Sequence, residues 1–394
     1  MNNKVVIIGS NHQNALGLIE SLGRKGIKPC VIIQSKIKKS FVLKSKYIER
    51  GWICAMDDEV LSCLLQNFKD TEEKVVLYTC SDDAASLIDN NLNLLNDYFY
   101  LPNAGKQGAV SSWMNKDIMT KIAESFGIAT PKSWLINIGD NINEVEYPCI
   151  TKSITSVKNG KADFKLCNNL EELKVFINGN HNSRVLQVQK YIDKDFEFQF
   201  LGCSLNGGQE IIIPGRTHII NANNFNNIVF LKYNRIESSL NELINKCHNL
   251  LRHIGYSGLF SIEFLRGKDN IDYFLEINFR NDGNSISVTD SGLNLPYIWY
   301  LFNAGGDYKK EIENSKFKEV FFVPEDSYFL EMINGEISFS EWKNNMRKAN
   351  SFATYFKEDK APFFALLKLQ AGTIVKSIIK RILKELHLIR LNKR

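Results

Sequence analysis

The stretch that decides the fold of this chain is GLFSIEFLRGKDNIDYFLEINFR, residues 258–280. It predicts two strands, Gly258–Arg266 and Ile271–Ile277, because both runs are apolar and aromatic and a turn sequence separates them. The turn is Gly267-Lys268-Asp269-Asn270. We therefore expect these two strands to pair as a hairpin.

Three polar side chains interrupt the hairpin: Glu263 in the first strand, and Glu276 and Asn278 in the second. Alternate residues of a strand share a face, so Glu276 and Asn278 point the same way and Glu263 can lie opposite them. Two unpaired carboxylates in an apolar strand would repel each other and be costly to desolvate. A divalent cation removes that cost, and a ligand set of oxygens without His or Cys favours Mg²⁺ or Mn²⁺, with phosphates completing the shell.

The alternative for these residues is an exposed sheet face on which Glu and Asn only meet water. Two features favour the metal. Arg280 follows two residues after Asn278, and the glycine turn Asn281-Asp282-Gly283 comes directly after it. The positive charge beside the oxygen ligands indicates a site that handles anions.

The N-terminal 100 residues predict a small doubly wound α/β unit. Strand Lys4–Ile8, helix Ala15–Arg24 and strand Cys30–Ile33 form its βαβ start. Gly9 is followed by Ser-Asn-His-Gln-Asn, so the GxGxxG fingerprint of dinucleotide binding is missing. We interpret the unit as a scaffold that helps to hold a substrate other than a nucleotide.

Beyond the linker at residues 101–105, strands and helices follow in an order typical of antiparallel hairpins with helices on one side, an α+β arrangement. The predicted helices are Asn115–Phe126, Leu170–Ile177 and Ser238–His253. The predicted strands are Val75–Thr79 in the first unit and then Tyr147–Lys152, Ala162–Leu166, Val185–Gln189, Phe196–Leu201, Glu210–Ile213 and Ile228–Leu231. The fold class is therefore α/β combined with α+β.

Composition excludes several classes of protein. With 394 residues, 44% hydrophobic and 24% charged, the chain is typical of a folded protein of two or three domains. Its eight cysteines show neither CxxC nor zinc spacing, which predicts free thiols in a reducing cytoplasm. We expect neither a signal peptide at the start nor a run of about 18 apolar residues able to span a bilayer.

The net charge of +5 is concentrated at the C-terminus. From Ala361 onward there are eight basic residues and one acidic residue, so the body is near neutral and does not predict nucleic-acid binding. Residues 363–391 predict a basic amphipathic helix, with Ile374, Ile378 and Ile382 at helical spacing. It either packs on the body with a solvated basic face or contacts an anionic membrane surface.

Taken together, these motifs resemble the ATP-grasp superfamily of carboxylate–amine ligases, which includes D-aspartate ligase, D-alanine–D-alanine ligase, biotin carboxylase and carbamoyl phosphate synthase. Glu276-Ile277-Asn278-Phe279-Arg280 is similar to the family's Glu-x-Asn-Pro-Arg run, with Phe279 where proline is common. The resemblance covers about residues 1–300. It implies an N-terminal pre-ATP-grasp domain (1–100), an ATP-grasp domain (101–310, smaller lobe about 147–190) and a C-terminal extension (311–394).

The resemblance also implies ligands for the nucleotide. Lys116, in Asn115-Lys116-Asp117, and Lys152, at the end of its strand, match lysines that contact phosphates. The run Gln189-Lys190-Tyr191-Ile192 resembles the hinge between the lobes, where the backbone of Lys190 and Ile192 would bind the adenine edge. Glu197 matches an acid on the ribose hydroxyls, although Asp195 on the same strand face could serve instead.

Two arginines are candidate catalytic residues: Arg280 matches the arginine of the family run beside the metal ligands, and the guanidinium geometry of Arg216 suits a phosphate or acyl-phosphate contact. His218 is interpreted as an ordinary sheet histidine. The loop Ser153–Lys161 departs from the family, since it holds a single glycine where a glycine-rich loop usually closes on the phosphates. Hydroxyl side chains and two lysines are expected to substitute for it.

The resemblance implies an ADP-forming ligase that activates a carboxylate as an acyl phosphate for attack by an amine, with ATP and Mg²⁺ or Mn²⁺ as cofactors. Two alternatives are an ATP-binding regulatory or scaffold protein without turnover, and a carboxylase-type enzyme that activates bicarbonate. Small-molecule substrates, a cytoplasmic location and peripheral contact with the inner membrane face are the partner and location predictions. The sequence leaves the substrates and the oligomeric state open.

Overall fold

The structure is a computed structural model that describes residues 3–137, 140–153, 164–179, 185–222 and 228–391. Most of the predicted phosphate loop, residues 154–161, and the start of the strand predicted at Ala162–Leu166 lie outside the described residues.

The described elements are numbered in chain order. The strands are β1 (Val5–Gly9), β2 (Cys30–Gln34), β3 (Arg50–Cys54), β4 (Val75–Thr79), β5 (Phe99–Tyr100), β6 (Ser133–Asn137), β7 (Cys149–Ser153), β8 (Lys165–Cys167), β9 (Val185–Lys190), β10 (Lys194–Leu205), β11 (Glu210–Ile212), β12 (Arg216–Ala222), β13 (Ile228–Asn234), β14 (Gly258–Gly267), β15 (Asp272–Asn278), β16 (Val320–Val323) and β17 (Ser351–Phe352). The α-helices are α1 (Gln13–Gly23), α2 (Asp57–Phe68), α3 (Asp82–Asn90), α4 (Leu92–Leu95), α5 (Ala109–Trp113), α6 (Lys116–Ser125), α7 (Leu170–Gly179), α8 (Asn241–Ile254), α9 (Ile286–Ser291), α10 (Leu295–Asn303), α11 (Tyr308–Glu313), α12 (Glu325–Asn334), α13 (Phe339–Lys348) and α14 (Ala361–Leu391). Short 3-10 helices occupy Val42–Lys44 and Ser238–Leu240.

The chain divides into two compact units whose segments interleave along the sequence. Unit 1 contains Met1–Thr71, Thr217–Arg235 and Gly283–Arg394, and unit 2 contains Glu72–Arg216 and Ile236–Asp282. The three consecutive domains expected from the sequence remain a prediction.

In unit 1, the parallel strands β1, β2 and β3 form the predicted βαβ start, with β2 between the other two. The strand β3 was missed because it opens with the exposed residues Arg50 and Gly51 and has little apolar signal. Helix α1 is buried along almost its whole length, not only at the predicted face of Leu16, Ile19 and Leu22. A second part of unit 1 pairs β13 with β16 and β16 with β17.

In unit 2, the predicted hairpin is present: β14 pairs antiparallel with β15 on one side and with β10 on the other. The buried face of these strands carries an aromatic core. Phe198 stacks on Phe264 with ring centroids 5.1 Å apart, and Phe200 meets Phe264 edge-on at 5.4 Å. All three rings are fully buried. Full burial of a Phe side chain contributes about 1.5–3 kcal/mol, so this core fixes the hairpin on β10.

The hairpin departs from simple alternation at one point. Glu263 pairs with Glu276 but the next residue, Phe264, pairs with Phe274, so Leu275 is an extra residue in β15. This β-bulge lets Phe274 enter the core while Glu276, two residues later, points to the other face. A strict period of two would have put both on one face.

The smaller sheet of unit 2 has the strand order β6-β9-β7-β8, and all its pairs are antiparallel. The predicted strands at 147–152 and 185–189 are its β7 and β9, whereas β6 was missed. Helix α7 covers the sheet and buries Leu173 and Ile177 against it. Cys149 and Cys167 face each other across β7 and β8 in this core.

The C-terminal helix α14 starts two residues before the predicted boundary. The expectation that no segment is apolar enough to cross a bilayer was wrong: Ala361–Ile379 has mean hydropathy 1.3 over 19 residues and meets that test by length and composition only. Two lysines interrupt the segment, which is why an uninterrupted apolar run was not found. Apolar side chains also face solvent, since Phe364 is 60% and Val375 54% exposed.

The observed elements agree with the predicted fold class. Parallel strands with helices make up the N-terminal part, and antiparallel sheets with helices follow it, which is the α/β and α+β combination.

Candidate functional site

The polar face of the hairpin is built as the sequence predicts. Glu263 and Glu276 are directly opposite each other, and the side-chain amide of Asn278 donates to Glu263 Oε1 at 3.0 Å. Gln199 on β10, the partner of Glu263 in the register, donates to the same oxygen at 3.2 Å. Burial, and then the charge of Glu276, raise the pKa of Glu263 to about 8.

Glu276 is paired with a cation. Lys116, the first residue of α6, forms an ion pair with Glu276 Oε2 at 2.5 Å. The charge of Lys116 lowers the pKa of Glu276 against the effect of burial. Burial alone would lower the pKa of Lys116, but Glu276 outweighs it and raises that pKa. The pair therefore stays charged at neutral pH.

Asn115 places Lys116 by starting the helix. Its side chain accepts hydrogen bonds from the backbone amides of Asp117 and Ile118, which is the geometry of a helix N-cap. Asn115 therefore has a structural role as the cap of α6.

Arg280 is held between acids at the end of the hairpin. Its Nε donates to Asp82 Oδ1 at 2.6 Å and its Nη2 to Asn278 Oδ1 at 3.0 Å. Burial opposes the charge of Arg280, but Asp82 and then Asp282 outweigh burial and raise its pKa. A small cleft beside these groups is lined by Asp82, Lys116, Glu276 and Asn278, with Trp113 and Met114 as an apolar wall.

Lys152, on β7, is held differently. Its Nζ donates to the neutral amide oxygen of Gln189 at 2.9 Å. Burial, and then repulsion from Lys116, lower the pKa of Lys152 to about 8, although Glu276, Glu263 and Glu197 act in the opposite direction. Lys152 and Lys116 thus lie within electrostatic range of each other and of both carboxylates.

In the hinge segment, Gln189 is buried and Tyr191 is exposed. The backbone N–H of Lys190 donates to Lys132 O at 2.8 Å, and that of Tyr191 to Pro148 O at 2.9 Å. The amide N–H of Lys190 is therefore already engaged inside unit 2. An adenine contact from this residue would have to use its carbonyl oxygen, with Ile192 supplying its own backbone.

Glu197 and Asp195 differ in exposure. The side chain of Glu197 is 16% exposed and accepts from Lys194 at 2.7 Å, whereas Asp195 is exposed. This enclosure favours Glu197 over the alternative acid. Both assignments to a ribose remain predictions.

Arg216 forms its side-chain hydrogen bond with a residue outside the hairpin. It is buried, its Nη2 donates to Glu237 Oε1 at 2.8 Å, and its guanidinium lies over the rings of Phe196 and Phe198 at 5.7 and 5.6 Å. Within the described residues its Nε has no hydrogen-bond acceptor. An enclosed guanidinium with a free donor fits an anion contact.

The side-chain oxygens of the hairpin are ligands that suit the expected divalent cation. Among the described residues no group of three or more His, Cys, Asp or Glu could hold a metal ion. The candidate set is two carboxylates, Glu263 and Glu276, and the amide oxygen of Asn278, which now accepts from Arg280. Such a hard-oxygen set with few protein ligands is typical of Mg²⁺ bound together with nucleotide phosphates.

The comparisons with known proteins agree with this geometry. Residues 121–288 match the family model of the ATP-grasp domain. The L-amino acid ligase from Bacillus licheniformis superposes with a TM-score of 0.63 at 14% identity, covering 82% of this chain and 79% of that one. The biotin carboxylase domain of 2-oxoglutarate carboxylase from Hydrogenobacter thermophilus, in complex with MgADP and bicarbonate, gives 0.64 at 14% identity, covering 81% and 73%. An ADP complex of N5-carboxyaminoimidazole ribonucleotide synthetase gives 0.62 at 16% identity, covering 85% of each chain.

No curated protein matches the sequence. Residues 121–288 thus form an ATP-grasp domain, and the chain shares the fold of these solved structures. The ATP-grasp domain and the fold expected from the sequence are therefore confirmed, while the roles of the individual site residues stay predictions.

Three residues of the site were missed as site residues. Asp82, the first residue of α3, accepts a hydrogen bond from Arg280 and was not predicted as a site residue. Gln199 shares the polar face of β10 with Glu197, and that alternation with Phe198 and Phe200 was a usable signal. Asp282, which accepts from Ser261 at 3.1 Å, had been read only as part of a turn.

Proposed function

We propose that this chain is an ADP-forming carboxylate–amine ligase. The observation that carries the proposal is the set of groups around the hairpin: two carboxylates and an amide oxygen face two lysines and an arginine within one compact unit. Mg²⁺ held by Glu263, Glu276 and Asn278 would neutralise phosphate charge. This arrangement serves phosphoryl transfer, in which catalysis is mainly positioning and charge neutralisation.

In the proposed reaction, a carboxylate oxygen of the substrate attacks the γ-phosphorus of ATP, the bond to the bridging oxygen breaks, and ADP leaves. An amine then attacks the acyl carbon, and phosphate and a proton are released. Lys116 and Lys152 would bind phosphate oxygens, and Glu197 would bind the ribose. Arg280 and Arg216 would stabilise negative charge on the acyl phosphate or on the tetrahedral intermediate.

The ligase is favoured over two other functions. The solved structures that superpose on this chain include an L-amino acid ligase, which supports an amino-acid substrate, but they also include carboxylase domains, so activation of bicarbonate is the second candidate. A regulatory protein without turnover is the third. The candidate metal ligands Glu263, Glu276 and Asn278 together with Arg280 argue against it, because ATP binding alone does not need a guanidinium beside the metal ligands to stabilise an acyl phosphate.

ADP release separates these functions. The purified full chain is incubated with Mg-ATP and pools of amino acids, with and without added amines, and separately with bicarbonate. The proposal expects ADP only when both a carboxylate and an amine are present. With carboxyl-¹⁸O substrate, one label should appear in the released phosphate, because the acyl–oxygen bond breaks in the second step. ADP with bicarbonate alone would support the second candidate, and no ADP under any condition the third.

The cytoplasmic location also stays a proposal. All eight cysteines are free and buried, which agrees with a reducing compartment.

A further inference from the structure

The last helix of unit 1 presents an unusual face to solvent. Helix α14 packs on the body through one side: Leu366 is buried, Gln370 donates to Asp326 on α12 at 3.0 Å, and Phe363 meets Tyr355 edge-on at 5.3 Å. Arg381 donates to the carbonyl of Met332 at 2.9 Å. These contacts identify the side of the helix that faces the protein.

The opposite side is apolar. Phe364, Val375, Ile378 and Ile379 are 60%, 54%, 42% and 52% exposed. At about 100° per residue these four side chains fall within an arc of about 100°, which is the width of the apolar stripe of an amphipathic helix. A stripe of this kind normally packs against a core, but only 11% of Ala361–Ile379 is buried. We call these four residues the α14 stripe.

The basic residues of α14 indicate which kind of surface covers the α14 stripe. From Ala361 to Lys384 the sequence holds five basic residues and no acidic residue. Lys368 lies inside the arc of the stripe and Lys376 about 60° beyond its edge, and both are exposed. Lysine can lay its aliphatic stem along an apolar surface and keep its ammonium group in the headgroup region. An apolar stripe edged by cations is complementary to an anionic lipid surface.

We propose that α14 docks on the surface of an anionic bilayer through the α14 stripe, with the helix axis parallel to the membrane plane. The contacts on the packed side of α14 distinguish a helix that lies on the bilayer surface from one that crosses the bilayer. A 19-residue helical segment is about 28 Å long, enough to cross the hydrocarbon core. Crossing would, however, strip the contacts of Leu366 and Gln370 from the protein and bury Lys368 and Lys376 in lipid. Lying in the interface keeps all of them.

The test is sedimentation of the full chain with vesicles. Vesicles of equimolar phosphatidylcholine and phosphatidylglycerol are compared with vesicles of phosphatidylcholine alone. The disrupting variant is Val375→Glu/Ile379→Glu. Its matched control is Thr373→Glu/Ser377→Glu, which makes the same charge change at the same spacing on the side of Leu366 and Gln370, where Thr373 is exposed and Ser377 half-buried. Equal thermal unfolding midpoints show that both variants are folded.

The proposal expects wild type to pellet with anionic vesicles and at least ten-fold less with neutral ones, and added salt to weaken binding. The disrupting variant should bind at least ten-fold more weakly than the control variant. Equal binding of the two variants, or no binding of wild type, would overturn the proposal. So would a wild-type dimer in lipid-free light scattering that the disrupting variant dissociates, since a second copy would then cover the stripe.

A second measurement avoids any loss of stability. Ile379→Trp places an indole on the stripe, and Thr373→Trp places one off it. Anionic vesicles should shift the additional tryptophan emission to the blue for Ile379→Trp and leave Thr373→Trp unchanged. Identical spectra of the two variants with vesicles would contradict docking through this face.

Discussion

The β14–β15 hairpin and the four-stranded sheet that carries Lys152 both offer charged side chains to the same candidate site, but they hold that charge in different ways. In the hairpin, two of the charges have charged partners, since Glu276 pairs with Lys116 and Arg280 pairs with Asp82, whereas Glu263 accepts from neutral amides. In the sheet, Lys152 donates to a neutral amide, and its pKa falls to about 8 because of burial and then of Lys116.

The paired charges of the hairpin therefore form a fixed framework, whereas the charge of Lys152 depends on a bound ligand. A paired and hydrogen-bonded charge keeps its position and its protonation state without a ligand. A lysine without an anionic hydrogen-bond partner gains most when a phosphate arrives, because the phosphate supplies the opposite charge and raises its pKa. We expect the hairpin to be essential for turnover and Lys152 to make nucleotide affinity depend on pH.

The largest effect should come from the hairpin. Glu276→Gln removes one carboxylate from the candidate metal site and leaves Lys116 without its anion. We expect ATP-dependent ADP release to fall by about 10³-fold, the upper range for loss of one electrostatic contact to a transition state. The measurement is a coupled ADP assay at saturating Mg-ATP.

The control for this variant is Glu171→Gln, which changes the same functional group in an exposed ion pair on α7. It should leave turnover unchanged, and both variants should keep the far-ultraviolet circular dichroism of wild type. Full turnover in Glu276→Gln would make the metal assignment wrong and remove the contrast between the two regions.

An intermediate effect is expected from Lys152→Gln. Loss of an enclosed cation that contacts phosphate should weaken ATP binding by at least about 30-fold, or roughly 2 kcal/mol. Calorimetric titration with Mg-ATP measures the affinity, and Lys174→Gln, in an exposed ion pair, is the matched control.

The pH dependence of ATP affinity tests the same contrast between the hairpin and Lys152. In the free protein Lys152 is charged below its pKa of about 8 and neutral above it. The contribution of Lys152 to ATP affinity should therefore be full near pH 7 and fall as the pH rises to 9, since above pH 8 a proton must be taken up on binding. Lys152→Gln should lose this fall and keep only the opposite slope of Glu263, since the pKa of Glu263 is about 8 and its proton must leave before it can bind the metal. The same slope in wild type and variant would assign the titration to another group.

The smallest effect should come from the cap that positions Lys116. Asn115→Ala removes the acceptor for two backbone amides of α6 and should lower the free energy of unfolding by about 1 kcal/mol. Asn115→Ser keeps an acceptor at the cap and should recover most of the loss. Urea unfolding measures both, and a loss in Asn115→Ala that Asn115→Ser does not recover would show that the cap is not the cause.

Local patterns were sufficient for a large part of this molecule. The strands and helices that carry Lys116, Lys152, Glu263 and Glu276 were predicted, because alternation, N-caps and glycine turns are properties of neighbouring residues. The bulge at Leu275 was not, because it depends on how Phe274 packs against the core. The strand β6 was missed for the related reason that its pairing with β9 stabilises a weak local signal.

The sequence by itself determined the class of the fold, the hairpin and the kinds of side chain on its polar face. Only the tertiary structure decided which charges neutralise each other: Lys116 meets Glu276 across 160 residues, and Asp82 meets Arg280 across 198. It also decided that the apolar stripe of α14 faces solvent. The physical reason is that pairing and burial between distant segments follow from the packing of whole sheets and helices, which no local periodicity records.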